Sequence, residues 1–248
     1  MPTRWQRVSP HSGAMALVPM SVLIDNIELL RINDNTVVSA EIYLGLDERH
    51  LRDHELSWRP PMLQAARDAR AYCTDASGNV DVGKFATELA RLRLQDFHWD
   101  WRKVNATSAA LSGCSAIAIE CDGHAQGLMI IDTENHASRL KPKGQTIAYV
   151  ELLTSAPWNR GTFIPTAQFG LAGYALVATA ISVSRRNSLN GRVGLHSVSG
   201  AVGFYANKCG MTSFGPDPIK KNKLVYLEMS SQQSDAFLAK LTARRGVP

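Results

Sequence analysis

The chain has 248 residues, of which 45% are hydrophobic and 20% are charged, as in ordinary globular proteins. Its length predicts one large domain, or one domain with an extension, and a core of that size needs no disulfide or metal. The four cysteines form no C-x-x-C pair, so we expect neither a metal site nor a redox motif, and we expect a reducing, cytoplasmic location. No apolar run reaches the roughly 20 residues of a membrane-spanning helix, so we expect no membrane among the partners.

The net charge of the chain is +5 and its pI is about 9.1. Basic residues cluster at Arg185–Arg186 and again at Lys220, Lys221 and Lys223. This balance suits an anionic ligand or RNA, whereas solvated surface is the ordinary explanation for each cluster taken alone.

The first part of the chain predicts a strand pair followed by two helices. Apolar, β-branched segments at 21–32 and 35–44 flank the turn residues Asn33-Asp34-Asn35, which indicates a hairpin. Apolar residues at helical spacing predict helices at 62–72 and 82–94.

An aromatic segment, Asp96-Phe97-His98-Trp99-Asp100-Trp101, follows these helices. Two explanations stay open for so many aromatic rings in a polar setting. Either the tryptophans attach a surface segment to the core, or the segment forms a wall of a substrate cleft.

The second part of the chain alternates between strand and helix patterns, as in an α/β protein. Asp122-Gly123 is a tight-turn signal between two of the strands. The strands are expected at 115–121, 126–133, 146–153, 192–198 and 223–229, and the longest helix at 170–186.

A short helix is predicted after the strand at 192–198. Ala201, Phe204, Tyr205 and Lys208 fall at helical spacing. Gly210 stands where a helix is usually closed by a residue with positive φ.

A strand, a glycine-containing turn at 167–173, a long helix, a strand and a Phe-Tyr helix follow one another in this chain. This order resembles the C-terminal half of the GNAT acetyltransferase superfamily, whose members bind acetyl-CoA. The resemblance covers about residues 109–230 and implies the GNAT fold, an α/β fold with a mixed, mostly antiparallel sheet flanked by helices. It makes 109–248 the acetyl-CoA-binding core and 1–108 an enlarged N-terminal region with the first strand and helices.

The family's phosphate loop reads Gln or Arg, two residues, Gly, one residue, and then Gly or Ala. Gly170 and Ala172 match this pattern, whereas Ala167 replaces Gln or Arg, and Gln168 is its candidate substitute. Glycine at a helix start lets backbone N–H groups approach a pyrophosphate, which the helix dipole also favours. The resemblance implies these acetyl-CoA-binding residues: Leu153, Thr154, Gln168, Phe169, Gly170, Leu171, Ala172 and Gly173.

Two residues are the candidate catalytic groups. The resemblance makes Tyr205 the proton donor to the departing thiolate, a role that a hydroxyl protonated at neutral pH can fill. Glu151 is the candidate base, because strand alternation places it on one face with Ile147, Tyr149 and Leu153. His196 on the neighbouring strand is the alternative base, and a rim glutamate paired with a lysine is the structural alternative for Glu151.

The segment Pro157-Trp158-Asn159-Arg160 is similar to one in uncharacterised bacterial members of the superfamily. Arg160 is a candidate contact for a CoA phosphate or a substrate carboxylate. Trp158 serves equally well as a structural plug.

The sequence therefore predicts an N-acetyltransferase that transfers acetyl from acetyl-CoA directly to an amine. Two alternatives stay open: a non-catalytic CoA-binding or interaction protein, which the Ala167 departure favours, and an acetyltransferase acting on aminoacyl-tRNA, which the basic charge favours. The identity of the amine acceptor and the formation of a homodimer are also open.

Overall fold

The computed structural model describes residues 20–161, 167–220 and 224–245. Part of the long connection between Arg160 and Gly170, residues 162–166, lies outside the described residues. So do Lys221 and Lys223 of the basic cluster, and with Lys223 the start of the predicted last strand.

The described chain forms nine strands and six α-helices, several of them joined by short helical turns. In chain order they are β1 (Val22–Arg31), β2 (Thr36–Leu44), α1 (Glu48–Asp53), α2 (Arg59–Tyr72), α3 (Val82–Arg91), α4 (Trp101–Ala109), β3 (Cys114–Cys121), β4 (His124–Asp132), β5 (Ala148–Ser155), β6 (Phe169–Gly170), α5 (Ala172–Arg186), β7 (Val193–Ser197), β8 (Thr212–Pro216), β9 (Val225–Met229) and α6 (Ser231–Arg245). Among these described helices, none has the length and apolar character that crossing a membrane requires.

All nine strands belong to one sheet in the order β6-β1-β2-β3-β4-β5-β7-β9-β8. Every neighbouring pair is antiparallel except β5 and β7, which run parallel and are joined through α5. The predicted class, a mixed and mostly antiparallel sheet flanked by helices, is confirmed. The N-terminal region contributes β1 and β2, and β2 pairs with β3.

Helices cover both faces of the sheet because the central strands bury side chains on both faces. On β4, Met129 and Ile131 pack into the cluster that also holds α5. The alternate residues Leu128 and Ile130 pack into a second cluster with Trp58 of the first helical region. Nearly continuous apolar runs such as β4 follow from this double burial.

The turns predicted from local chemistry are present. Asn35 in the first hairpin has a φ of 57°, and Asp122 and Gly123 have φ values of 54° and 75°. Positive φ at both central residues is the geometry of the two-residue hairpin turn that Asp-Gly favours. Gly210 also adopts a positive φ, of 78°, as predicted.

The predicted start of the longest helix, at Gly170, is wrong by two residues. Phe169 and Gly170 instead form β6, which pairs with Leu30 and Arg31 of β1. Leu171 then takes a left-handed φ of 68°, which separates β6 from α5.

The predicted Phe-Tyr helix is wound more widely than an α-helix. A 3₁₀ turn at Ser199–Ala201 leads into a π-helical segment at Phe204–Lys208, closed by the N–H of Cys209 on the carbonyl of Phe204 at 3.0 Å. The hydrogen bond is of the i→i+5 type that defines a π turn. Tyr205 and Cys209 are buried, and Lys208 is exposed.

Candidate functional site

The two parallel strands in the middle of the sheet separate partway along their length. Their pairing covers Ala148 with Val193, Tyr149 with Gly194 and Val150 with Leu195, and it ends there. Beyond Val150, β5 continues its pairing with β4 alone, and β7 continues with β9. The sheet therefore opens into a gap that begins at Glu151 on one side and His196 on the other.

Glu151 sits on a β-bulge at the start of this gap. The pairing between β4 and β5 shifts there, so that Ile130 faces Leu152 and Ile131 faces Val150. The prediction that Glu151 shares a face with Leu153 is wrong, because the extra residue reverses the alternation and Leu153 packs on the opposite, α5 side of the sheet.

Glu151 contacts the ring of His136. Its Oε1 lies 3.1 Å from Nε2 of His136, and its side chain is 9% exposed. The His136 ring stacks on the Tyr149 ring with centroids 3.8 Å apart and planes 11° from parallel. His136 follows β4 in a polar loop, and no sequence pattern had marked it as a site residue.

His196, the alternative base, has both ring nitrogens occupied. Its Nδ1 lies 2.5 Å from the Tyr149 hydroxyl, and its Nε2 lies 2.9 Å from Asp217 Oδ2. Burial is the main cause that raises the pKa of Tyr149, so this hydroxyl keeps its proton and donates it to Nδ1. The proton of neutral His196 therefore lies on Nε2 and is donated to Asp217.

The ionisation of His196 and Asp217 fits this assignment. Burial lowers the pKa of His196, which favours the neutral ring. Burial alone would raise the pKa of Asp217, but hydrogen bonds from Arg139 and His196 outweigh it and hold that pKa far below its usual range. Arg139 Nη2 lies 2.5 Å from the Asp217 carboxylate.

Tyr205 lies beyond β7 on the α5 side of the sheet. The side chain is buried in the cluster with Phe204 and Cys209. Burial, followed by the charges of Cys209 and Asp96, raises the pKa of Tyr205 well above its ordinary value. The hydroxyl is therefore protonated at neutral pH and within the electrostatic influence of Asp96.

Asp96 and Gln95 connect the two sides of the gap. Thr154 on β5 donates to Asp96 Oδ2 at 2.5 Å. An added Cβ on Gly200, which follows β7, would lie 2.7 Å from Gln95 Oε1. The segment that precedes α4 therefore spans the gap between β5 and β7.

The aromatic residues of that segment belong to the core. Trp101 is buried, and Phe97 and Trp99 pack against the same cluster. These contacts support the first of the two explanations, in which the aromatic rings attach the segment to the core.

Arg160 is bound within the protein, which contradicts its expected role on a CoA phosphate. Its guanidinium donates to both oxygens of Asp96 at 2.7 Å and to Thr154 Oγ1 at 2.7 Å. The remaining bonds go to the carbonyls of Arg93 and Ser155. Trp158 donates to Gln126 at 2.9 Å and packs edge-on against Trp58, as a structural plug does.

Two backbone N–H groups of the predicted acetyl-CoA loop donate hydrogen bonds to the segment that precedes it. Gln168 N–H donates to the Trp158 carbonyl, and Phe169 N–H donates to Asn159 Oδ1. The side chain of Leu171, at the N-cap of α5, supplies no cap. Gly173 lies against Phe204, since an added Cβ would meet its ring at 3.1 Å.

Gln168 and Phe169 also line a cavity of about 510 Å³, whose other lining residues include Arg31, Asp122 and His124. Ala172 is buried at the start of α5, and an added Cβ on Gly170 would be in van der Waals contact with Leu30 and Ile32 at 3.6–3.7 Å. Thr154 is buried and committed to Asp96 and Arg160, whereas Leu153 is partly buried.

Asp132, His136 and Glu151 bring one ligand-type atom each within 4.8 Å of one another. The carboxylate of Asp132 already accepts hydrogen bonds from the backbone of Glu134 and Asn135 and from the Asn135 amide. We therefore assign Asp132 to shaping the turn after β4 rather than to holding a cation.

No protein-family model and no curated protein sequence matches the chain. Among solved structures it is similar to the PaiA N-acetyltransferase of Thermoplasma acidophilum in complex with coenzyme A, at 14% identity and a TM-score of 0.37, over 78% of this chain and 99% of that chain. A putative arylalkylamine N-acetyltransferase 7 of Aedes aegypti aligns at 12% identity and a TM-score of 0.44, over 86% and 96% of the two chains.

An uncharacterized protein of Bacillus halodurans aligns at 8% identity and a TM-score of 0.46, over 89% of this chain and 97% of that chain. With TM-scores below 0.5, these likenesses carry no argument for fold or function. Independently of them, the chain has one parallel pair in a mostly antiparallel sheet, and that pair is joined by α5 and separates at its centre. This is the GNAT fold that the sequence resemblance predicts.

Proposed function

We propose that the chain is an N-acetyltransferase that moves an acetyl group from acetyl-CoA directly to an amine. The observation that carries the proposal is the separation of β5 and β7 at Glu151. The candidate base Glu151 lies at that gap beside His136, and the candidate acid Tyr205 lies in the cluster on the α5 side of the sheet.

The edge of β5 beyond Val150 is the proposed place of the acetyl-CoA arm. The pairing of this edge with β7 ends at Val150, and an extended ligand can add to a strand edge through its amides. The start of α5, which has no side-chain cap, is the proposed site of the pyrophosphate.

In the proposed reaction the acceptor ammonium first loses a proton to Glu151, directly or through water. The neutral amine attacks the thioester carbonyl, and the tetrahedral intermediate expels the thiolate. Tyr205 then gives its proton to the sulfur. Such acid and base groups typically contribute 10²–10⁴-fold each.

The acceptor stays open among a small amine, a protein amino group and an aminoacyl-tRNA. We propose a cytoplasmic location, where four cysteines scattered along the sequence remain reduced. A CoA-binding protein without activity is the alternative, and product formation separates the two functions.

The first test is binding. Saturating acetyl-CoA stabilises a protein that binds it only when folded, by about 2.7 kcal/mol at 100 times Kd. We expect a higher melting temperature for the wild type and little shift for Gly170→Val, whose branched side chain blocks the approach to the α5 start. Gly83→Ala in α3, which meets no atom closer than 3.5 Å, is the control and keeps the full shift.

A further inference from the structure

We propose that His136 is a positioning residue for Glu151, fixing the carboxylate in the direction that proton transfer requires. This inference rests on the proposed function. It concerns a residue of the loop after β4 that lies 15 positions from Glu151 in the sequence and meets it only in the fold.

Glu151 needs a positioning partner because its strand does not fix its side chain regularly. The register shift between Ile130 and Ile131 leaves Glu151 as the extra residue of β5. A bulge disrupts the local ladder and re-aims the side chain it carries. At the same point β5 loses its pairing with β7, so the backbone is held from the β4 side alone.

His136 contacts the Glu151 carboxylate directly. Nε2 and the Glu151 Oε1 are 3.1 Å apart, which is a hydrogen bond when Nε2 carries the proton. The second carboxylate near the ring, that of Asp132, is 3.8 Å from Nε2, beyond hydrogen-bond distance, so Glu151 is the better acceptor.

The ring of His136 is itself held in place by Tyr149. The two rings are nearly parallel at 3.8 Å, and Tyr149 is buried. The Tyr149 hydroxyl is bonded to His196, and His196 to Asp217. Each member of the series Asp217, His196, Tyr149, His136 and Glu151 is thus oriented by the preceding one.

The charged groups around His136 favour its role as a donor to an ionised carboxylate. Asp132 and Glu151 face the ring nitrogen, and Lys220 lies 6.0 Å from the centre of the Tyr149 ring. Burial raises the pKa of Asp132, but the backbone hydrogen bonds from Glu134 and Asn135 outweigh it, so the net pKa is lowered and Asp132 is anionic.

Three variants separate the hydrogen bond from the ring stack. His136→Phe keeps a ring for Tyr149 and removes the donor. His136→Gln keeps an amide N–H donor and removes the ring, whereas His136→Ala removes both. The measurement is kcat and KM as a function of pH, with the released CoA quantified by chromatography. The substrates are acetyl-CoA and whichever of three amines reacts fastest: spermidine, tyramine or a peptide with a free N-terminus.

We expect His136→Phe and His136→Ala to lose roughly 10- to 100-fold in kcat, the lower range for impaired proton transfer, with the acetyl-CoA KM unchanged. The acidic limb of kcat/KM moves to higher pH in both, because the ionised Glu151 has lost a hydrogen-bond donor. His136→Gln should retain most of the wild-type kcat and the wild-type position of the acidic limb. A merely structural role lowers the rate at every pH without moving the limb.

Two outcomes overturn the inference while leaving the proposed function in place. One is a His136→Phe protein with wild-type kcat and pH profile alongside a Glu151→Gln protein that has lost its acidic limb. The other is equal loss in His136→Gln and His136→Ala. If the wild type itself releases no CoA with any of the three amines, the proposed function fails first.

Discussion

The guanidinium of Arg160 forms two hydrogen bonds of 2.7 Å to Asp96, one to each carboxylate oxygen. The pair is attached to the end of β5, since Thr154 on that strand forms hydrogen bonds with both residues. Burial raises the pKa of Asp96, but the charge and hydrogen bonds of Arg160 outweigh it and lower that pKa. Asp96 is therefore ionised at neutral pH, and the pair is a buried salt bridge of largely structural value.

Asp96→Asn is expected to lower the free energy of unfolding by about 3–5 kcal/mol, because it leaves the buried guanidinium of Arg160 without a counter-charge. Urea denaturation at pH 7 measures this change. Glu88→Gln, which breaks the exposed pair with Arg91, is the control and should change the free energy of unfolding much less than Asp96→Asn. A loss below 1 kcal/mol for Asp96→Asn would show that the pair is not an important anchor.

His54 is expected to make the fold sensitive to mild acid. It is 2% exposed, and burial, followed by the charge of Arg59, lowers its pKa to about 4. Above pH 6.5 neither the folded nor the unfolded state is protonated at this residue. Between pH 6.5 and about 4 the unfolded state takes up the proton first, so about 3 kcal/mol of stability is lost over that window.

The measurement is the free energy of unfolding in urea at pH 7 and at pH 4 for the wild type and His54→Phe. The variant should lose about 3 kcal/mol less over this range, because a ring that cannot titrate replaces His54 between Trp58 and Trp101. His98→Gln, at an exposed position, is the matched control and should follow the wild type. Parallel curves for the wild type and His54→Phe would assign the acid sensitivity elsewhere.

Glu151→Gln tests the proposed base. The variant keeps the shape of the side chain but cannot take up a proton, so kcat/KM should fall by roughly 10²-fold or more and its acidic limb should flatten. The acetyl-CoA-induced rise in melting temperature should remain. An unchanged pH profile would mean that a water molecule or His196 acts as the base. His196 would first have to break its hydrogen bond with Tyr149 or Asp217.

The features that sequence alone could predict are those decided by near neighbours in the chain. The Asp122-Gly123 turn depends on residues that tolerate positive φ, and the strands on either side show their apolar pattern directly. Three helices, α1, α4 and the 15-residue α6, were not predicted. One of them is α1, although Asp47 and His50 form a capping box at its start.

The site was harder to predict because its geometry depends on pairing between distant segments. The bulge at Glu151 arises from its register against β4, which no alternation within β5 reveals. Asp217 lies in a connection without periodicity and becomes informative only when it contacts His196. The expected phosphate role of Arg160 failed for the same reason, since its partner Asp96 is 64 residues away.

The central claim is acetyl transfer in the gap between β5 and β7, and the most direct test is CoA release by the wild type and Tyr205→Phe. Both proteins are incubated with acetyl-CoA and a panel of spermidine, tyramine, a peptide with a free N-terminus and an aminoacyl-tRNA, and CoA and acetylated product are quantified by mass spectrometry. We expect amine-dependent, stoichiometric formation of both products by the wild type. We also expect a kcat about 10²-fold lower for Tyr205→Phe, with acetyl-CoA binding retained because the ring still fills its place beside Phe204. Wild-type turnover by folded Tyr205→Phe, or no product from the wild type with any acceptor, would contradict it.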